Sequence, residues 1–187
     1  MPDLDPTDVS RVLDLALSRP PSLGPGRLVC VDGPAGSGKT TLAEALVRRQ
    51  PGAAAVHMDD LFEGWDGLPT VDRQLGTLLS PLAQGLEGRY RRWDWHASSW
   101  GEQVTVRPVP LLVVEGVGSG SLVAEPFTTV LVWVEAPYDL RMRRGIARDG
   151  DDFAPFWERW AAAEALHFAT HRTRERADLV VNGAGSG

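Results

Sequence analysis

Cysteine occurs once in the 187 residues, at Cys30, and asparagine once, at Asn182. A lone thiol excludes an intrachain disulfide framework and a zinc site built on cysteines, and it suits a reducing compartment. Cys30 sits in an apolar run and is expected to be a packed strand residue. Asn182 is followed by glycine, so the Asn-Lys-x-Asp reader of guanine-selective switches is missing. Positive charge is also scarce: 19 Lys and Arg against 25 Asp and Glu leave a formal net charge of −6 and a pI near 5.2. Such a chain offers no general field for gathering a nucleic acid backbone, although small anions can still bind locally. No apolar run reaches the roughly 18 residues of a membrane span. The first residues, MPDLDPTDVS, carry acids where a secretory leader carries Lys or Arg. The expectation is a cytoplasmic chain without a nucleic acid polymer or a membrane as partner. No internal repeat is present, and nothing in the sequence sets an oligomeric state.

With 43% hydrophobic and 24% charged residues, the chain has the composition and size of one domain with a single substantial core, spanning 1–187. Val9, Val12, Leu13 and Leu17 recur at helical spacing within residues 7–18, before the turn-rich RPPSLGPG; residues 1–26 are therefore read as an N-terminal helix and turn. RLVCV predicts a buried strand, followed by a glycine-rich loop and the helix KTTLAEALVRRQ. Further strands are expected at AAAVHM, LLVVEG, TTVLVWVE and DLVV, and further helices over 70–86, 137–148 and 155–176. NGAGSG closes the chain, with 183–187 expected to be a flexible tail. Apolar strands alternating with helices indicate an α/β fold, a three-layer α/β/α sandwich on a mostly parallel five-stranded sheet.

Between the first strand and its helix lies VDGPAGSGKT, residues 31–40. Gly33, Gly36, Gly38, Lys39 and Thr40 match G-x-x-x-x-G-K-[ST], the phosphate-binding P-loop, in the strand-to-helix setting that motif requires. Glycines let successive N–H groups turn inward, and the following helix adds the positive end of its dipole. Gly33, Ala35, Gly36, Ser37, Gly38, Lys39, Thr40 and Thr41 are the expected nucleotide-binding residues. Lys39 would reach the outer phosphates and the Thr40 hydroxyl would ligate Mg²⁺.

The reaction must come from the strand ends and later loops. Asp59 and Asp60 follow one strand and Glu115 ends another, where ligands of an open α/β sheet gather. One acid could orient Mg²⁺ and another accept the proton of an attacking hydroxyl; Asp59 and Asp60 are alternatives for that base. Arg141, Arg144 and Arg148 share one face of APYDLRMRRGIARDG, where like charges are eased by a bound anion. Seven tryptophans are many for this length. RYRRWDWHASSW gathers Trp93, Trp95, His96 and Trp100 around Asp94, which suits either a flat polar ligand or a hairpin with cross-strand aromatic pairs. Glu164, His167 and His171 share a helix face at a spacing open to a metal, though a polar packing network explains them more simply.

Four stretches, GPAGSGKTT, MDDLF, VVEG and LRMRRGIARD, together make residues 27–182 resemble the P-loop small-molecule kinases, most closely the uridine kinase and nucleoside kinase-like group. The resemblance implies ATP and Mg²⁺ as cofactors and transfer of the γ-phosphoryl group to a hydroxyl of a small, nucleoside-like acceptor. It implies Asp59 as general base, Glu115 near the metal, Arg144 and Arg148 as phosphate clamps, and Trp93, Asp94 and His96 at the acceptor pocket; Lys39 and Thr40 join the site through the P-loop motif, and Asp60 and Arg141 are further candidate acceptor contacts. The chain departs from the group at Leu61, in the shortened WDWHASSW, and in the brief stretch after Asp149, all away from the phosphate end. The other classes that use such a loop are a GTPase switch and an ATPase acting with a protein partner. The missing guanine reader opposes the first and the absence of an appended domain opposes the second.

Overall fold

Strands that are apolar at nearly every position can be buried on both faces only in the middle of a layered α/β fold, and RLVCVD, LLVVE and VLVWVE take that place. The computed structural model describes residues 5–150 and 156–185. Its first half runs α1 (Pro6–Ser18), β1 (Arg27–Asp32), α2 (Lys39–Arg49), β2 (Ala54–His57) and α3 (Asp72–Ala83). An antiparallel hairpin of β3 (Gly88–Asp94) and β4 (Ser99–Val106) follows. The second half comprises β5 (Leu111–Glu115), β6 (Val130–Glu135), α4 (Tyr138–Asp149), α5 (Trp157–His171), α6 (Thr173–Arg176) and β7 (Leu179–Asn182).

Five strands form one sheet in the order β2-β5-β1-β6-β7, parallel throughout. Alternation divides the core between its faces. Val29, Val31, Val113 and Val132 meet α1 and α2 on one side; Leu28, Cys30, Val114 and Leu131 meet α3 and α5 on the other. The three-layer α/β/α architecture expected from the sequence is thus present. The free Cys30 is buried, and burial pushes its thiol up to about 12, far from a reactive thiolate.

Register sets the strand ends side by side. Val31 and His57 both pair with Glu115 across the sheet, so the loop after β1 opens beside the ends of β2 and β5. The helix expected over 155–176 is interrupted at Arg172, which takes a left-handed conformation (φ 49°) and separates α5 from α6. The part of that expectation at residue 155 lies outside the described residues, as do residues 186 and 187 of the expected tail. Gly183 is held: its N–H donates to the Glu135 carbonyl at 2.8 Å, and a Cβ there would lie 1.7 Å from the Ser37 carbonyl oxygen. Among the described residues, no helix is long and apolar enough to cross a membrane.

Leu46 is fully buried between α2 and the sheet, whereas Leu166 on α5 is 72% exposed. Leu46→Ala is expected to cost about 2–5 kcal/mol in urea denaturation, and Leu166→Ala within about 0.5 kcal/mol. Equal losses would contradict this layering.

Candidate active site

The P-loop is shaped by glycine where no other residue fits. Gly36 has φ 75°, and a Cβ on it would lie 2.3 Å from the Arg141 carbonyl oxygen, so α4 rests directly on the loop. Gly33 has φ 138° and sits against the Val134 carbonyl. Lys39 opens α2 yet is almost completely buried, its ammonium donating to the Pro34 carbonyl at 2.9 Å. Burial lowers its pKa, and the charges of Glu164, Glu115, Asp32 and Asp59 oppose that fall. It is the only lysine in the chain.

A cavity of about 840 Å³ runs from this loop to the tip of the β3–β4 hairpin. At one end Gly36, Gly38, Lys39, Thr40 and Thr41 face Arg144 and Arg148. The first N–H groups of α2 have no partner within the helix and lie at this end. Thr40 Oγ1 donates to Glu115 Oε1 at 3.2 Å, and the same oxygen meets His57 Nδ1 at 2.6 Å. That bond raises the His57 pKa. A hydroxyl beside a carboxylate is a hard-oxygen donor pair that fits Mg²⁺ shared with phosphate oxygens, and the amides with Lys39 and Arg144 fit a polyphosphate.

At the other end stand Phe62, Trp65, Trp95, Phe156 and Trp160, with Asp60 and His96, and Asp59 lies between the two groups. Trp65 stacks on Phe156 with centroids 5.2 Å apart and meets Trp95 at 4.9 Å. The Trp95 indole donates to the Asp59 carbonyl at 3.0 Å. Asp60 Oδ2 accepts from Tyr90 Oη at 3.3 Å and Arg92 Nε at 3.2 Å. The Asp59 carboxylate lies 3.9 Å from Arg148 Nη1.

Several residues expected at the site serve elsewhere. Gly33 and Ser37 shape the loop from behind the cavity, and the Gly33 N–H is taken by Asp32 at 2.7 Å. The Ala35 N–H donates to Glu164 at 2.7 Å rather than into the cradle. Trp93 packs edge-on against Trp100 across the hairpin and lies over Gly64, away from the cavity. Asp94 closes the hairpin turn through the amides of His96 and Ala97, both at 2.9 Å. Arg141 donates to the Ala35 carbonyl at 3.2 Å and braces the loop from outside. The hairpin reading of RYRRWDWHASSW holds for Trp93 and Trp100, while Trp95 and His96 line the cavity.

Other contributors escaped sequence reading. Asp32, fully buried, accepts from the amides of Gly33, Gly118 and Gly120 and ties the loop after β5 to the P-loop. Burial pushes its carboxyl up to about 6 against the pull of those amides. A polar residue ending an apolar strand was the signal for it. Glu164, His167 and His171 do share a face of α5, but Glu164 turns to the P-loop and the two imidazoles stack with centroids 4.1 Å apart. Among the described residues no three His, Cys, Asp or Glu side chains are grouped as a metal would require.

No protein-family model and no curated protein matches the sequence. Solved structures do match. A possible uridine kinase from Bacillus stearothermophilus aligns at 22% identity and TM-score 0.61, covering 94% of this chain and 98% of that one. A candidate fructose transport system kinase from Silicibacter sp. TM1040 aligns at 20% identity and TM-score 0.57, covering 92% and 98%. At these identities the likeness is one of fold, and the chain has the P-loop kinase fold.

His167 supplies a pH test of this packing. Burial, and then the charge of His171, lowers its pKa from 6.5 to about 4, and Nε2 has no hydrogen-bond partner. The unfolded chain therefore binds more protons in that window, and the contribution of His167 to stability is lost as pH falls from 6.5 towards 4. Urea midpoints should drop less between pH 7 and pH 4.5 in His167→Leu than in the wild type; parallel drops would refute the assignment.

Proposed function

We propose that the protein is an ATP-dependent phosphotransferase that moves the γ-phosphoryl group to a hydroxyl of a small acceptor, nucleoside-like in having a flat ring to stack. One observation carries this reading: the phosphate cradle and the aromatic chamber are two ends of one cavity, with Asp59 between them. A switch or a partner-driven ATPase needs the first end but has no use for the second.

The cradle amides, Lys39 and Arg144 would hold the β- and γ-phosphates, with Arg148 reaching them from the rim. Thr40 and Glu115 are the residues that would hold Mg²⁺, whose charge would offset that of the phosphate oxygens. The acceptor ring would lie among Trp65, Trp95 and Trp160, whose faces stack on a planar group. Asp59 is the better base. It lines the cavity with its carboxylate 3.9 Å from Arg148, on the phosphate side, whereas Asp60 meets Tyr90 and Arg92 of the hairpin. In the transfer, the acceptor oxygen forms a bond to the γ-phosphorus and its proton passes to Asp59. The bond from that phosphorus to the β–γ bridging oxygen breaks, and ADP leaves with the bonding pair. Arginines closing over the equatorial oxygens stabilise the spread of negative charge and exclude water. His57 keeps Glu115 aligned by donating to it.

A coupled ADP-release assay with Mg·ATP and a panel of nucleosides, sugars and vitamin precursors tests the reading. Acceptor-dependent release is expected, abolished in Lys39→Ala. Asp59→Asn should lower kcat by roughly 10²–10⁴, with Asp60→Asn acting mainly on the acceptor KM. ADP formed equally without any acceptor would overturn the proposal.

A further inference from the structure

A single oxygen joins the two ends of the cavity. Glu164, buried on α5, uses Oε1 to accept two hydrogen bonds of 2.7 Å, one from the Ala35 backbone N–H and one from the Trp160 indole Nε1. Ala35 belongs to the P-loop, and Trp160 is a wall of the aromatic chamber. The second oxygen, Oε2, lies 4.0 Å from Arg141 Nη1, and Arg141 donates to the Ala35 carbonyl at 3.2 Å. Ala35 is therefore gripped on both sides, through its N–H in one peptide unit and its C=O in the next. The Arg141 guanidinium is itself set over the rings of Tyr138 and Trp157, 5.5 and 6.0 Å from their centroids. A buried carboxylate held by charge-assisted bonds has little freedom to shift without moving its donors.

We propose that Glu164 is a positioning residue linking acceptor wall to phosphate loop, so that the seating of the Trp160 ring is passed through their shared oxygen to the Ala35 amide and the adjoining cradle. Its kinetic consequence rests on the phosphotransfer reading. An acceptor placed against Trp160 would tighten nucleotide binding, and nucleotide would tighten acceptor binding by the same factor. Gly36 and Gly38, which follow Ala35, would otherwise leave that part of the loop free to relax between turnovers.

The decisive variant is Trp160→Phe, which keeps a ring in the wall and deletes only the N–H. It is compared with Glu164→Gln, whose amide oxygen can still accept both bonds, and with Glu164→Ala, which accepts neither. Calorimetric titration with Mg·ATP should show affinity weakened roughly fivefold in Trp160→Phe and roughly tenfold or more in Glu164→Ala, with Glu164→Gln close to wild type. Backbone amide hydrogen exchange, followed by NMR without nucleotide, should be faster at Ala35 in Trp160→Phe. Wild-type exchange at Ala35 in Trp160→Phe would overturn the link, as would wild-type Mg·ATP affinity in Trp160→Phe where the wild type binds it. Glu164→Gln as damaging as Glu164→Ala would also overturn it, leaving charge alone as the role of Glu164. If the wild type failed to bind Mg·ATP, the phosphotransfer reading would fall, and amide exchange at Ala35 would still decide the link.

Discussion

The buried ammonium of Lys39 is the constraint around which the P-loop end of the fold is arranged. A cation removed from water must be compensated by opposite charge or hydrogen bonds, and at the effective dielectric of a protein interior such interactions gain strength over those in water. The compensating carboxylates come from four separate places. Asp32 ends β1, Asp59 follows β2, Glu115 ends β5 and Glu164 stands on α5. The groups that act on this one charge are thus brought together by the sheet register, the loop after β2 and the last long helix. Asp32 extends the same logic, since its three amide donors draw in the segment after β5.

That arrangement leaves the two ends of the cavity chemically distinct. Around Lys39 the surfaces are backbone amides, arginines and a hydroxyl–carboxylate pair, all suited to phosphate and a hard cation. Around Trp65 they are ring faces with a few polar edges. Carboxylates that balance the ammonium also discourage a second anion from lodging without a cation beside it. Asp59 touches both kinds of surface, its carboxylate 3.9 Å from Arg148 and its carbonyl accepting from the Trp95 indole.

Most of the sheet was legible because buried parallel strands are apolar at every position, a pattern that needs no tertiary information. The P-loop was legible because its glycines and lysine occupy fixed spacings between strand and helix. The aromatic chamber was only half legible. Trp93 and Trp95 lie two residues apart in a strand-like run and look equivalent. The turn closed by Asp94 separates them, sending Trp93 to Trp100 and Trp95 to the cavity. Phe62, Trp65, Phe156 and Trp160 come from segments whose meeting is a property of the folded chain alone. Glu164 was hidden for a similar reason: its partner Ala35 lies 129 residues away, and locally it reads as one more polar residue beside two histidines. The break at Arg172 carries no glycine to mark it.

Because Lys39 is the only lysine, protein labelled with ¹⁵N-lysine carries a single side-chain probe, placed at the proposed seat of the phosphates. Mg·ATP should move that one Nζ resonance in a saturable way, and Mg·AMP, lacking the outer phosphates, should barely affect it. A resonance indifferent to saturating Mg·ATP would contradict the central claim that this buried ammonium receives a nucleotide's phosphates.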